Sequence, residues 1–245
     1  MTASVTAKSS YMEDAGAAFS SYGLWIMAFK RSGQAFVAAI VVLLAILTSA
    51  SAEPLRVVGF GDSLMAGYGL GPGEAFPEKL EAALRKKGHD VVIANAGVSG
   101  DTTSAGLSRL DWSVPDGTQL VILELGANDM LRGVTPDITE KNLDAMIASL
   151  RQRGIAVLLA GMVAAPNLGS DFASTFNAIY PRLAEKYGLQ LYPFFLDGVA
   201  ADKGFLLADG MHPNAAGIDR MVENFMPDME KALAAARTAG GAPAD

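Results

Sequence analysis

Leu55-Arg56-Val57-Val58-Gly59-Phe60-Gly61-Asp62-Ser63-Leu64 is the stretch on which the fold turns. Leu55 to Phe60 is a short apolar run rich in branched residues, and a run of that length reads as a strand buried on both faces, as in a parallel sheet. It ends on Gly61 and delivers a serine at its exit. In open parallel sheets, ligands bind beyond the C-terminal ends of the strands, where helices begin. The following helix would place amide donors near the Ser63 hydroxyl. The word Gly61-Asp62-Ser63-Leu64 taken alone also fits a strand-to-helix cap made by Asp62 or Ser63. A dinucleotide-binding G-x-G-x-x-G is excluded, because position 64 is leucine. A G-x-S-x-G elbow is excluded too, because position 65 is methionine.

Working outward, Val91 to Ala94, Leu120 to Leu125 and Ile155 to Ala160 repeat the strand pattern, and Leu189 to Pro193 is a weaker fifth run. Amphipathic stretches lie between them. Phe76 to Lys87 puts Phe76, Leu80, Ala83 and Leu84 on one face and stops at Gly88. Ile138 to Arg153 turns Leu143, Met146, Ile147 and Leu150 inward. Ala173 to Tyr187 reads as one helix, and Pro213 to Ala235 as the last, with its proline in the first turn. Strand and helix alternate throughout, which predicts an α/β, three-layer α/β/α sandwich around a mostly parallel five-stranded sheet.

The N-terminal part is a different kind of sequence. Lys30-Arg31, the apolar run Ala35 to Leu47 and the Ala50-x-Ala52 pattern follow the order of a secretory signal peptide. The run is short of the about 20 residues a spanning helix needs, so an uncleaved anchor is the weaker reading. The expected organisation is an N-terminal extension plus signal peptide over 1–52, a catalytic domain over 53–237 and a flexible tail over 238–245, with cleavage after Ala52 and a periplasmic or secreted product. Met27 would open a signal peptide of ordinary proportions. A net charge of −7 with scattered basic residues speaks against a nucleic-acid partner. An exported chain without cysteine has no disulfide framework and must rely on its core.

A second informative word is Asp209-Gly210-Met211-His212-Pro213, with an acid and an imidazole three residues apart. A serine is a poor nucleophile until a base takes its proton, and histidine suits that task near neutral pH. There are two histidines. His89 sits in the charged turn Arg85-Lys86-Lys87-Gly88-His89-Asp90, a poor place for a base. Asp209 could alternatively cap the last helix. Further words follow the second and third strands, Asn95-Ala96-Gly97-Val98-Ser99-Gly100-Asp101-Thr102 and Glu124-Leu125-Gly126-Ala127-Asn128-Asp129.

Together these words resemble the four blocks of the SGNH, or GDSL, hydrolase family, with Ser63, Gly100, Asn128 and His212 on its eponymous positions. The similarity is greatest to the bacterial exported acyl-CoA thioesterase I, lysophospholipase and arylesterase group, and extends from Leu55 to Phe225. Ser99-Gly100-Asp101-Thr102, Leu131-Arg132-Gly133, Ile179-Tyr180-Pro181 and Pro193-Phe194-Phe195 add to it. The resemblance implies a serine esterase that needs no cofactor and no metal and acts on small acyl esters or thioesters. Ser63 is then the nucleophile, His212 the base and Asp209 its partner. The oxyanion hole comprises the Ser63 and Gly100 N–H groups and the Asn128 side chain. Gly97 is the rival for the glycine role, and Asn128 could be a turn residue beside Gly126. Asp62 and Asp129 are expected to organise loops. The loop Met130 to Thr135 contacts the acyl chain in the family, which makes Met130, Leu131 and Val134 substrate-binding candidates. Met162, Phe172 and Leu206 lie in segments that could line the mouth. No stable membrane partner is expected once the signal is removed.

Two other classes compete. A metal phosphoesterase would gather Asp62, Asn95, Asn128 and His212 around a divalent ion, though such sites usually want more carboxylates or histidines. A non-catalytic periplasmic binding protein would have no need of the acid–base pair.

Overall fold

The computed structural model describes residues 53–240. The expected extension and signal peptide, the cut after Ala52 and the last five residues lie outside the described residues. Five strands, β1 (Leu55–Gly61), β2 (Val91–Gly97), β3 (Leu120–Glu124), β4 (Ala156–Ala160) and β5 (Gln190–Tyr192), form one sheet in the order β2-β1-β3-β4-β5. Every neighbouring pair is parallel. This is the doubly wound order whose switch point lies between the first and third strands, where β1 delivers Ser63.

Seven α-helices lie between the strands among the described residues and an eighth follows the last: α1 (Ser63–Ala66), α2 (Phe76–Lys86), α3 (Thr103–Ser113), α4 (Ala127–Leu131), α5 (Pro136–Gln152), α6 (Ser170–Asn177), α7 (Ile179–Tyr187) and α8 (Ala215–Gly240). α2 packs against α8, while α3 packs against α5 and α5 against α7, which gives the three layers. The apolar faces expected for α2 and α5 point inward: Phe76, Leu80, Leu84, Leu143, Met146, Ile147 and Leu150 are all fully buried. Phe76, Phe195 and Phe225 meet edge to face beneath α8. Each such side chain contributes about 1.5–3 kcal/mol by leaving water.

Three readings need correction, and one helix had no counterpart in the sequence reading. β2 is an edge strand, and Val92 on it is exposed, so it is not buried on both faces. The stretch Ala173 to Tyr187 is two helices, because Pro181 has no N–H to donate back to Asn177 and the helix restarts at Ile179. α3 escaped the sequence pattern because its buried positions are Thr103, Gly106, Arg109 and Leu110, mostly small or polar. The last helix begins at Ala215 rather than Pro213 and continues to Gly240. Asn214 precedes it and accepts from Gly217 N–H at 3.0 Å.

Candidate active site

Three loops at the C-terminal end of the sheet, after β1, β2 and β3, meet a fourth that precedes α8. Ser63 is the first residue of α1, with Asp62 as its N-cap: Asp62 Oδ1 accepts from Leu64 N–H at 3.0 Å. The seryl hydroxyl is thereby held at a helix N-terminus, where the backbone N–H groups have no intrahelical acceptor. Among the described residues neither Ser63 N–H nor Gly100 N–H donates to any protein acceptor.

The fourth loop carries the base. Leu207 N–H donates to His212 O at 2.7 Å, Leu206 bridges Pro213, and Asn214 Nδ2 donates to the carbonyls of Gly204 and Leu206. Within this frame Asp209 Oδ1 accepts the N–H groups of Met211 and His212 at 2.9 and 3.0 Å. Asp209 Oδ2 lies 2.7 Å from His212 Nδ1, and His212 Nε2 lies 2.9 Å from Ser63 Oγ. The two backbone N–H groups, then the imidazole, hold the Asp209 carboxyl down to about 2. It is an anion at any ordinary pH, so Nδ1 carries the proton and Nε2 is free to accept one from the serine. Tyr68, a residue the sequence did not single out, stands with its ring 4.4 Å from the imidazole, tilted by 37°.

Asp62 does more than cap. Its Oδ2 accepts from Asn128 Nδ2 at 2.9 Å, which fixes the amide and leaves its second N–H undirected by that bond. Asp62 N–H in turn donates to Glu124 Oε2 at 3.3 Å. Both carboxyls are fully buried, and Glu124 Oε1 has no partner among the described residues. Burial pushes Asp62 up to about 6, and burial together with the Asp62 charge pushes Glu124 well above the usual carboxylate range. Two neighbouring buried carboxyls do not both ionise readily, and the one shifted further, Glu124, keeps its proton. Asp129 is the anchor of the next loop: it accepts from Thr103 N–H at 2.7 Å and Oγ1 at 2.5 Å, tying α4 to α3.

Arg109, buried on α3, is the other residue the sequence did not reveal. Its guanidinium reaches Asp101 Oδ2 at 2.5 Å, Ala96 O at 2.9 Å and Gly61 O at 2.8 Å, and lies over the Phe60 ring. One side chain thus clamps the ends of β1 and β2 together.

The two rival glycines are different in kind. Gly97 N–H already donates to Asn95 Oδ1, and a Cβ there would stand 2.2 Å from Ala66 N. Its role is to let α1 lie against the end of β2. Gly100 has φ +85°, and its carbonyl accepts from Arg132 Nη2 at 2.8 Å. Asn95 Nδ2 donates to Glu78, so it does not join the other members of the metal-site alternative. Of the substrate-binding candidates, Met130 is buried with Sδ accepting from Ala165 N–H, whereas Leu131 is exposed and Val134 half-buried. Met162 is also in the core. His89 is far from this cluster in the fold, in the turn between α2 and β2, bonded to Glu230 at 3.1 Å.

A model of the GDSL-like lipase/acylhydrolase family matches residues 60–220, which spans all four loops. The chain belongs to that family. Its relatives in the family include an arylesterase of Vibrio mimicus, 40% identical over 176 residues that cover 70% of this chain and 86% of the relative. A second is the thioesterase 1/protease 1/lysophospholipase L1 of Escherichia coli (strain K12), 34% identical over 174 residues, 71% of this chain and 82% of the relative. Among solved structures, the SGNH-hydrolase family esterase AlinE4 superposes with a TM-score of 0.63 at 47% identity, covering 74% of this chain and 97% of that one.

Proposed function

We propose that this GDSL-family protein is a serine esterase that cleaves carboxylic esters and acyl thioesters through an acyl-enzyme. The reading is carried by the continuous relay Asp209–His212–Ser63, at 2.7 and 2.9 Å. Ser63 Oγ attacks the acyl carbonyl while His212 Nε2 takes its proton, and the C–O or C–S bond breaks as the same proton passes to the leaving alcohol or thiol. Water then repeats the sequence on the acyl-serine. Asp209 holds the tautomer and stabilises the imidazolium. The oxyanion of each tetrahedral intermediate meets Ser63 N–H, Gly100 N–H and the second N–H of Asn128. What supports Gly100 over Gly97 is that the Gly97 N–H already has an acceptor. The names of the relatives favour aryl esters, acyl thioesters and lysophospholipids as substrates, with Leu131 and Val134 facing the acyl group.

The basic, apolar and small-residue order before Glu53 supports export and cleavage after Ala52. Among the described residues no helix is long and apolar enough to cross a membrane. The test of the activity is a panel of p-nitrophenyl esters, acyl-CoAs and lysophosphatidylcholine of graded chain length, with a serine-directed phosphonate followed by peptide mapping. Label on Ser63 alone is expected; hydrolysis that persists after complete labelling would reject the mechanism.

A further inference from the structure

Eight large apolar side chains are exposed among the described residues, and their distribution is uneven. Tyr68, Val98, Leu131, Ile138, Val163 and Met211 all lie at the C-terminal end of the sheet, each between 41% and 59% exposed. Only Val92, on the edge strand, and Trp112, late in α3, lie elsewhere. Scattered exposed apolar residues need no explanation, but a set gathered at one end does. Tyr68 follows β1, Val98 follows β2, Leu131 follows β3 and Val163 follows β4, four neighbouring strands in the sheet. The four strands they follow span about 15 Å at the usual strand spacing. Met211 joins them from the loop of the base, and Ile138 from the first turn of α5. Ser63 and His212 open at the same end as this apolar ring of loops, with Tyr68 against the imidazole.

The charges at this end have a matching character. The carboxylates nearest Ser63 all have protein partners, and only Asp209 among them is exposed: Asp62 bonds Leu64 and Asn128, Asp101 bonds Arg109, Asp129 bonds Thr103 and Asp209 bonds His212. Arg132 is exposed, donates only to the Gly100 carbonyl, and has no carboxylate partner among the described residues. The ring therefore presents apolar side chains with a cation beside Gly100 and one exposed carboxylate, Asp137, next to Ile138.

We propose that this ring is a docking surface for zwitterionic phospholipid or lysophospholipid aggregates, onto which the enzyme adsorbs reversibly. The proposal rests on the acyl-hydrolase reading. In such an aggregate the scissile ester lies at the boundary between acyl chains and headgroups. A site that must meet it there gains from apolar side chains that enter the boundary and a cation that meets the phosphate. The overall charge of −7 would oppose adsorption to an anionic surface, which selects the zwitterionic one.

The test uses the chain from Glu53, in the Ser63→Ala background, with and without Ile138→Asn and Val163→Asn, sedimented with phosphatidylcholine vesicles. These two positions take no part in the relay or the oxyanion donors, and asparagine adds no charge that would act on His212. The double variant should lower vesicle partitioning by roughly tenfold. In the Ser63 enzyme it should reduce hydrolysis of micellar lysophosphatidylcholine while leaving p-nitrophenyl acetate turnover unchanged. Equal partitioning of the two proteins, or none by either, would overturn the proposal. So would a self-association, seen by sedimentation velocity, that the double variant abolishes, because the ring would then be an interface between copies. Failure of the wild type to hydrolyse any ester while still binding vesicles would overturn the esterase reading and leave the docking surface standing.

Discussion

The two histidines of this chain stand in superficially similar company. His212 has a carboxylate at 2.7 Å and His89 has one at 3.1 Å. The difference lies on the imidazole nitrogens. Asp209 takes Nδ1 of His212 and leaves Nε2 facing the Ser63 hydroxyl at 2.9 Å. In the other region Glu230 occupies Nε2 of His89 itself, and Lys87 Nζ bonds the same carboxylate oxygen at 2.7 Å. A histidine–acid pair is a surface ion pair until its second nitrogen meets a group with a proton to lose. The acid's partners differ as well: Asp209 is fixed by two backbone N–H groups, whereas Glu230 answers to two side chains from the turn between α2 and β2.

The sharpest way to break the comparison is to remove one member at each place. Ser63→Ala and His212→Ala should each lower kcat by several orders of magnitude, and the double variant should be little worse than either. His89→Ala should leave kcat and KM unchanged in the same steady-state assay. A smaller effect is expected from Asp209→Asn, which keeps the shape but allows the wrong tautomer and should reduce kcat on the order of 10⁴-fold. Glu230→Gln, the matching change in the other region, should leave the rate alone. Smaller again is Asn128→Ala, expected to cost 10²–10³-fold, about 2.7–4 kcal/mol, in kcat with little change in KM. Equal losses in kcat from Asn128→Ala and from a surface asparagine such as Asn224→Ala would remove Asn128 from the oxyanion hole.

The smallest effects are on stability, and there the buried and surface carboxyls should differ in sign. Asp62 holds its proton to about 6 in the folded state, above its value in the unfolded chain. The unfolded chain therefore ionises first as pH rises, and this group lowers stability progressively between about 4 and about 6. Glu124, shifted up further, continues the decline at higher pH. Lys87 and His89 lower the Glu230 value instead, so its contribution is present above the unfolded glutamate range and is lost as pH falls through the depressed value. Thermal midpoints measured against pH should flatten in the acid range for Asp62→Asn and lose a small acid-side rise for Glu230→Gln.

The sequence made the backbone plan legible because the apolar runs of β1, β3 and β4 are buried on both faces and say so in their composition. It made the relay legible because only two histidines were available and His212 alone had an acid three residues before it on one loop opening a helix. Arg109 was hidden because an arginine on a polar helix normally reads as solvated; here its partners are carbonyls of two strands, and no local pattern encodes that. α3 was hidden for the same reason, its inward face being threonine, glycine and arginine. The break at Ala178 was written in Pro181, but the strong apolar periodicity on either side masked it. Tyr68 had a signal, an aromatic between Gly67 and Gly69, that becomes meaningful only once the ring is seen against His212.

Acid and base share one turn, with Asp209 gripping the N–H of the very residue whose ring it orients. In a relay assembled from three separate segments, every insertion or drift misaligns two joints independently. Here residues 209–212 form a prefabricated cartridge, and the rest of the protein has only one adjustment to make, the distance from that cartridge to Ser63. Because Gly204, Phe205 and Leu206 anchor that cartridge through Asn214 and Pro213, changes of chain length just before them should move it as a whole relative to Ser63 while leaving the Asp209–His212 spacing intact.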